Sequence, residues 1–536
     1  MSPEIVVKNR WLGFLIWQSI SSTSLFFLHK TLILSLFSSS KNPSFLLSIF
    51  FFVSFHLSLL LLSLSLFLLS SPQPDPAASA PDLARGLLRL LLKSVVARSS
   101  ADLSTADFRR RAAKSLSFLT FVILSGISGF LSVVSVCDGD GLLDATRFFR
   151  LGLRGIVLGI LFGVDYVCRK RWVLVFPIIQ RPLFFSFKMG LPSSLRQALK
   201  LSSAAYLIST VLMLFLPDPF QLKSTIRQLL VQQITIYLGT SVVSFCWELS
   251  HHLLQVLLTR RFIFAPPQGS AAAETNPSEP LLAALEQSTP RSIFQYLAYL
   301  DLCMVCENNV DTWRRAAFFE ETGETYRRVV SACLRPLEQL TSRIAEGLEG
   351  SSAEKSDLFS QQLSSPMVTH VDLRLHEAFN DFQLCAWSAR TVASLTARSR
   401  GEDRFGVAQL TGCNAAVVST LLSCLLAVEA CLGKKTSPQS PHLLSPTNIR
   451  WATVNTGRRE FVGKKRDNTL HGKAYVMADV LRTSIYEIVS PFHEEMQKCA
   501  KAAILDKDWI IKSKALYSTR EILVHKLSLF LDFRAN

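Results

Sequence analysis

Cys303 and Cys306 form a CxxC pair, the spacing of half a zinc site or of a dithiol redox centre. No second cysteine pair or histidine pair follows at zinc spacing. The pair sits in Tyr296-Leu-Ala-Tyr-Leu-Asp-Leu-Cys-Met-Val-Cys306, an apolar helical run, and reads as part of a core helix. Arg154, Asp165, Glu248, His251 and His252 fall within long apolar stretches, where ionisable groups would suit a transport pathway. They lie toward the ends of those stretches, away from the midpoint at which a transport site is expected. They therefore read as side chains that reach for the membrane interface. HExxH, Walker, GxGxxG and GxSxG motifs are all missing from the sequence, so no catalytic residue, metal or cofactor is expected.

Two further patterns concern contact rather than reaction. Gly155, Gly159 and Gly163 make a GxxxGxxxG ridge, which lets helix backbones approach closely in lipid. Its partner is a neighbouring helix of the same bundle or a second chain. Between Pro81 and Arg98, Leu83, Leu87, Leu88, Leu91, Leu92 and Val95 keep a helical spacing. Arg85, Arg89, Lys93 and Arg98 bring positive charge to the same segment. The pattern predicts an interfacial amphipathic helix whose basic face suits anionic headgroups. Basic clusters at Arg458-Arg459 and Lys464-Lys465-Arg466 read as a solvated loop, and no direct nucleic-acid binding is expected.

The elements that would position these residues divide the chain in two. Over 536 residues the net charge is +16 and the mean hydropathy +0.29, with the apolar residues concentrated before Thr259. Runs of 18 or more apolar residues match a hydrocarbon slab of roughly 30 Å. Six candidate spans follow: 11–28, 45–69, 116–136, 151–168, 199–216 and 229–258. Lys8 and Arg10 precede the first, which lacks a small-residue cleavage site and reads as an uncleaved span.

The loops between them alternate in charge. One side carries Lys8 and Arg10, then Arg109, Arg110, Arg111 and Lys114, then Arg169, Lys170, Arg171, Arg181, Lys188 and Arg196, then Arg260 and Arg261. The other side has short loops, which carry Lys30 and Lys41, then Asp138, Asp140 and Asp144 with Arg147 and Arg150, then Asp218, Lys223 and Arg227. By the positive-inside rule both termini face the cytoplasm.

The expected architecture is an all-α membrane protein: a six-span domain over 1–262, with the basic amphipathic segment at 81–98, and then a soluble α-helical domain. A Pro/Ala/Ser/Glu-rich flexible linker is expected at 263–291 and the helical domain at 292–536, with flexible loops near 350–366 and 434–448. The apolar stretch 407–432 is long enough to be a seventh span. Its Ala, Ser, Thr, Gly and Asn content favours a buried soluble helix.

Three segments carry a family likeness. The first is Phe294-Gln-Tyr-Leu-Ala-Tyr-Leu-Asp-Leu302, followed by Arg314, Arg315 and Phe318-Phe319. The second runs from Trp313 to Leu340 and ends in Cys333-Leu-Arg-Pro-Leu-Glu-Gln-Leu340. The third is Lys526-Leu-Ser-Leu-Phe-Leu-Asp-Phe533. In order and layout the chain resembles the Ndc-type transmembrane nucleoporins in their plant-like form. The resemblance implies a non-enzymatic scaffold at the nuclear pore membrane of the nuclear envelope. That scaffold would anchor the pore complex and support pore assembly and nucleocytoplasmic transport. The implied partners are the lipid bilayer, other membrane nucleoporins, and inner-ring nucleoporins bound through the C-terminal domain. The alternative from another class is a multispanning transporter or membrane-lipid enzyme with a cytosolic regulatory domain; it needs a functional polar site inside the bundle.

Overall fold

The structure is a computed structural model that describes residues 3–34, 45–74, 102–137, 145–177, 179–215, 226–267, 269–356, 375–433, 467–502, 504–513 and 515–532. Among these the chain is helical and has no strands, apart from one isolated bridge between Ser71 and Val173. It separates into two compact units. The first takes Met1–Arg261 and Arg291–Phe294, and the second takes Phe262–Pro290 and Gln295–Asn536.

The first unit is a bundle of long helices. They are α1 (Pro3–Leu28, continued by a π-helical turn at His29–Leu34), α2 (Phe45–Leu69), α3 (Asp102–Cys137), α4 (Ala145–Cys168), α5 (Leu183–Leu214) and α6 (Ile226–Thr259). The serine-rich sequence of α2 stays helical because its hydroxyls bond back to their own helix. Ser58 donates to the Phe55 carbonyl at 2.7 Å, and Ser65 to the Leu62 carbonyl at 2.6 Å. Ser58 also meets Ser132 of α3 at 2.6 Å, and Ser128 donates to the Ser58 carbonyl at 2.8 Å, so the same serines join two helices.

Helix α6 packs against all five others. Its polar residues point inward: Ser244, Glu248 and Ser250 are buried, as is Trp247. Ser244 donates to the Ala198 carbonyl of α5, and Gln18 of α1 donates to the Ser250 hydroxyl.

Among the described residues five helices are long and apolar enough to cross a membrane. Four of them, Glu4–Thr31, Leu46–Leu69, Arg109–Cys137 and Phe148–Cys168, coincide with the first four expected spans. The expected spans 199–216 and 229–258 fall in α5 and α6, which are long helices but are not among the five. The physical reason is visible in α6, where Gln233, Ser244, Glu248 and His251 lower the apolarity; Glu248 is met by Arg171 and Gln233 by Arg154 and Tyr206. The fifth such helix is Cys413–Gly433, in the second unit.

The second unit contains α7 (Ala271–Thr275), α8 (Glu279–Gln287), α9 (Ile293–Glu307), α10 (Thr312–Ala316), α11 (Glu324–Ser356), α12 (Phe382–Glu402), α13 (Val407–Leu410), α14 (Cys413–Gly433), α15 (Asp467–Lys501), α16 (Leu505–Asp508) and α17 (Arg520–Asp532). The stretch 263–291, expected to be a flexible linker, differs from that expectation. It holds α7 and α8, and Leu281, Leu282, Ala284 and Leu285 are buried where α8 meets α11. Proline there starts a helix instead of breaking one: Pro280 sits in the first turn of α8, where a missing N–H costs nothing.

Helix α14 is packed by α11, α12, α15 and α17. Helix α11 continues to Ser356, so the expected loop at 350–366 begins in helix. The rest of that loop and the expected loop at 434–448 lie outside the described residues.

Candidate functional site

Helices α3 and α4 approach closely at the glycines of α4. A Cβ at Gly155 would run into the backbone carbonyl of Gly129 on α3. One at Gly159 would meet the carbonyl of Ser125, and one at Gly163 would lie 3.0 Å from the Val122 Cα. Backbone thus lies on backbone, and Ser125 donates a hydrogen bond to the Gly159 carbonyl at 2.9 Å. Small residues allow such contact, and a hydroxyl that reaches across adds a bond that lipid cannot supply. All three ridge glycines face α3 of the same chain. Gly129 and Gly152 belong to the same seam, Gly152 against the Phe130 ring. Gly152 lies three residues before Gly155, one helical turn toward the N-terminus, a signal readable in the sequence. Gly129 lies on the other helix and has no such signal.

The ionisable residues of the spans form a second cluster. Glu248, 2% exposed, takes both guanidinium nitrogens of Arg171, one at 2.9 Å. Arg171 also reaches Asp165 at 3.4 Å; Asp165 accepts from Arg169 at 2.7 Å and from Gln197 at 3.3 Å. His251 meets the Tyr166 ring edge-on at 5.2 Å, whereas His252 contacts the Phe187 carbonyl at 3.2 Å. Glu248 and His251 therefore do not share a proton site: the carboxylate is committed to arginine.

Arg154 also departs from the expected snorkelling. It is buried, donates to Gln233 at 2.9 Å and lies 5.2 Å from the Tyr206 ring centre. Sequence reasoning placed Arg171 only among loop charges, since nothing local marks it as the counter-ion of a residue 77 positions away.

In the second unit the residues of the family-like segments converge. Asp301, on α9, is fully buried and pairs with Arg314 of α10 at 2.7 and 3.3 Å. The same carboxylate accepts the Phe264 N–H at 2.9 Å, and Arg314 donates to the Phe264 carbonyl at 3.0 Å. Arg315, 1% exposed, grips Glu402 at 2.6 and 2.8 Å. Its remaining nitrogen covers carbonyls at the end of α9, with Asn308 at 2.8 Å. Free carbonyls at a helix C-terminus favour such a cation. Phe318 and Phe319 are buried beside them.

Cys303 and Cys306 lie in the core on α9, and burial pushes both thiols well above the ordinary cysteine range. Such thiols are unreactive. Arg85, Arg89, Lys93 and Arg98, with the whole segment 81–98, lie outside the described residues, as do Arg458 to Arg466.

Residues 115–372 match the family model of the nucleoporin protein Ndc1-Nup. Over that stretch the chain is similar to the Ndc1-type nucleoporins. No curated protein matches the chain. The match runs from within α3 through α4, α5, α6 and α7 to α11. It contains the glycine seam, the Arg171–Glu248 pair and the Asp301–Arg314 pair; Arg315 lies inside it and its partner Glu402 beyond it. The first two family-like segments lie inside it, and the third, Lys526–Phe533, lies beyond it. The membrane-length helices accord with a likeness to a membrane nucleoporin.

Proposed function

We propose that this chain is a structural anchor of the nuclear pore complex in the nuclear envelope, supporting pore assembly and nucleocytoplasmic transport without catalysis. The observation that carries the proposal is the family match over 115–372, which takes in membrane-length helices and the buried Asp301–Arg314 pair of the second unit. In this reading the membrane unit crosses the bilayer six times, with both termini on the cytoplasmic or pore side. The alternation of loop charge supports that topology, as does the inward aim of the polar residues of α6, which lets a less apolar helix serve as a span. The basic segment 81–98, through Arg85, Arg89, Lys93 and Arg98, would hold the anionic leaflet. The helical second unit would dock inner-ring nucleoporins, and other membrane nucleoporins would join it at the rim.

The test is proximity labelling from a C-terminal fusion in cells, together with imaging of the same fusion. The expected outcome is a nuclear rim signal and labelled nucleoporins. A uniform reticular signal with no nucleoporin labelled would overturn the proposal.

A further inference from the structure

In the membrane unit the start of α5 and the end of α6 enclose a groove of about 410 Å³, within the size range of small-ligand sites. Two kinds of side chain line it. Arg181 and Arg260 bring positive charge, and Ile179, Leu183, Met189 and Val256 make an apolar wall; no aspartate or glutamate lines it. Among the described residues neither Arg181 nor Arg260 pairs with a carboxylate. The Arg181 guanidinium lies against the Met189 thioether instead. Positive charge is concentrated further by Arg10, which donates to the carbonyls of Leu257, Leu258 and Arg260 and so closes the end of α6. The apolar wall does not end in the groove. Ile179 and Met189 are well exposed, and Phe184 and Phe185 continue the same surface outward from Leu183.

A free soluble anion would use the arginines and leave the apolar wall wet. A neutral lipid would use the wall and leave two cations without a counter-charge. One ligand chemistry satisfies both halves: a phosphate joined to an acyl chain. We infer that this groove is a binding site for an anionic phospholipid, its headgroup phosphate between Arg181 and Arg260 and its chain along Ile179, Leu183 and Met189. Basic pockets between helix ends on the cytoplasmic side are suited to phosphorylated headgroups. The inference rests on the proposed topology only for the leaflet from which the lipid is drawn.

The experiment uses the full chain in phosphatidylcholine nanodiscs carrying a fluorescent phosphatidylinositol 4-phosphate. Arg181→Gln with Arg260→Gln should bind about 30-fold more weakly, the loss expected for two cations beside an anionic headgroup. Lys188→Gln with Arg196→Gln removes the same charge outside the groove and should bind like the wild type. Ile179→Ser with Met189→Ser should weaken lipid binding but leave the soluble inositol phosphate headgroup unaffected. The inference is overturned if both arginine-to-glutamine and control pairs lose binding equally, if neither loses it, or if inorganic phosphate binds as tightly as the lipid. Leaflet and site are tested apart. Cys168, the one exposed cysteine, ends α4 on the same expected side. In a Cys499→Ser background on intact microsomes it should react with a membrane-impermeant maleimide. Failure there refutes the topology and leaves the nanodisc result standing.

Discussion

Helices α2 and α14 are about equally apolar and equally capable of crossing a membrane by length, yet their surroundings differ. Along α2, Leu46, Phe50, Val53, Leu57, Leu60, Leu64 and Leu68 form an exposed stripe, while Phe51, Phe55, Leu59, Leu62 and Leu66 are buried against the bundle. Helix α14 has no such stripe: Val417, Val418, Leu421, Leu422, Leu425 and Val428 are all buried. An exposed apolar stripe of that length on one helix calls for lipid or a partner, whereas α14 already has its solvent in protein side chains. Hydropathy measures what a helix avoids. Only the neighbours show whether lipid or protein meets that need. The same division applies to polar groups. The membrane unit turns Glu248 and Ser244 inward from an apolar exterior, and the second unit buries Asp301 and Arg314 within an apolar interior.

If burial rather than environment type sets the cost of a charge, the two units should respond alike to losing one ion-pair partner. Arg171→Met takes the arginine from buried Glu248, and Arg314→Met takes the arginine from buried Asp301. Each should cost about 3–5 kcal/mol, with much of the loss recovered in Arg171→Met/Glu248→Leu and in Arg314→Met/Asp301→Leu. Thermal unfolding of the full chain in detergent, with hydrogen exchange resolving each unit, checks both cycles. A large loss in one unit alone would break the parallel.

The apolar half of the comparison is sharpened by truncation. Leu425 is 0% exposed on α14 and Leu57 is 59% exposed on α2. Leu425→Ala should lose about 2–5 kcal/mol through the cavity it leaves. Leu57→Ala, at a surface without protein packing, should leave the folded unit's stability nearly unchanged. Equal losses would mean that α2 is covered by protein in the assembled chain.

What the sequence made legible follows the same line. The first four spans are readable because long Leu/Phe/Ser runs have one physical explanation. Helices α5 and α6 are readable as helices, but Gln197, Gln233 and Glu248 lower their apolarity, and their partners Asp165, Tyr206 and Arg171 are far along the chain. The glycine ridge was readable as a close-packing surface, whereas its occupant was not, because Gly129 carries no spacing signal of its own. The stretch 263–291 was misread from its composition: its prolines hid the buried face formed by Leu281, Leu282 and Leu285.

Substitution in the seam tests how close packing distinguishes the two units. Gly159→Val must push aside the Ser125 carbonyl, which is backbone and cannot turn away. The expected loss is about 1–3 kcal/mol, the range for overpacking. Gly347 of α11 faces only the flexible end of Leu375, so Gly347→Ala should be milder. Paired melting curves of the two variants check the order, and a milder effect at Gly159 would mean that α3 and α4 separate easily.

The smallest effect concerns the segment expected to be a linker. Arg328 of α11 holds Glu286 at 2.8 Å and Glu279 at 3.1 Å, both on α8. The hydrogen bond from Arg328 keeps the Glu286 carboxyl below the ordinary glutamate range against a smaller opposing effect of burial. A carboxylate with a depressed folded-state value contributes stability that is fully present above the unfolded value, and that contribution is lost as the pH falls through the folded one. Glu286→Gln should therefore lower stability slightly at neutral pH, by at most about 0.5 kcal/mol for so exposed a pair. The difference from wild type should vanish below the ordinary glutamate range. Hydrogen exchange in α8 followed from neutral to acid pH reads this directly. Protection of α8 that is the same in both proteins at every pH would mean that Leu281, Leu282 and Leu285 hold the segment without the ion pair.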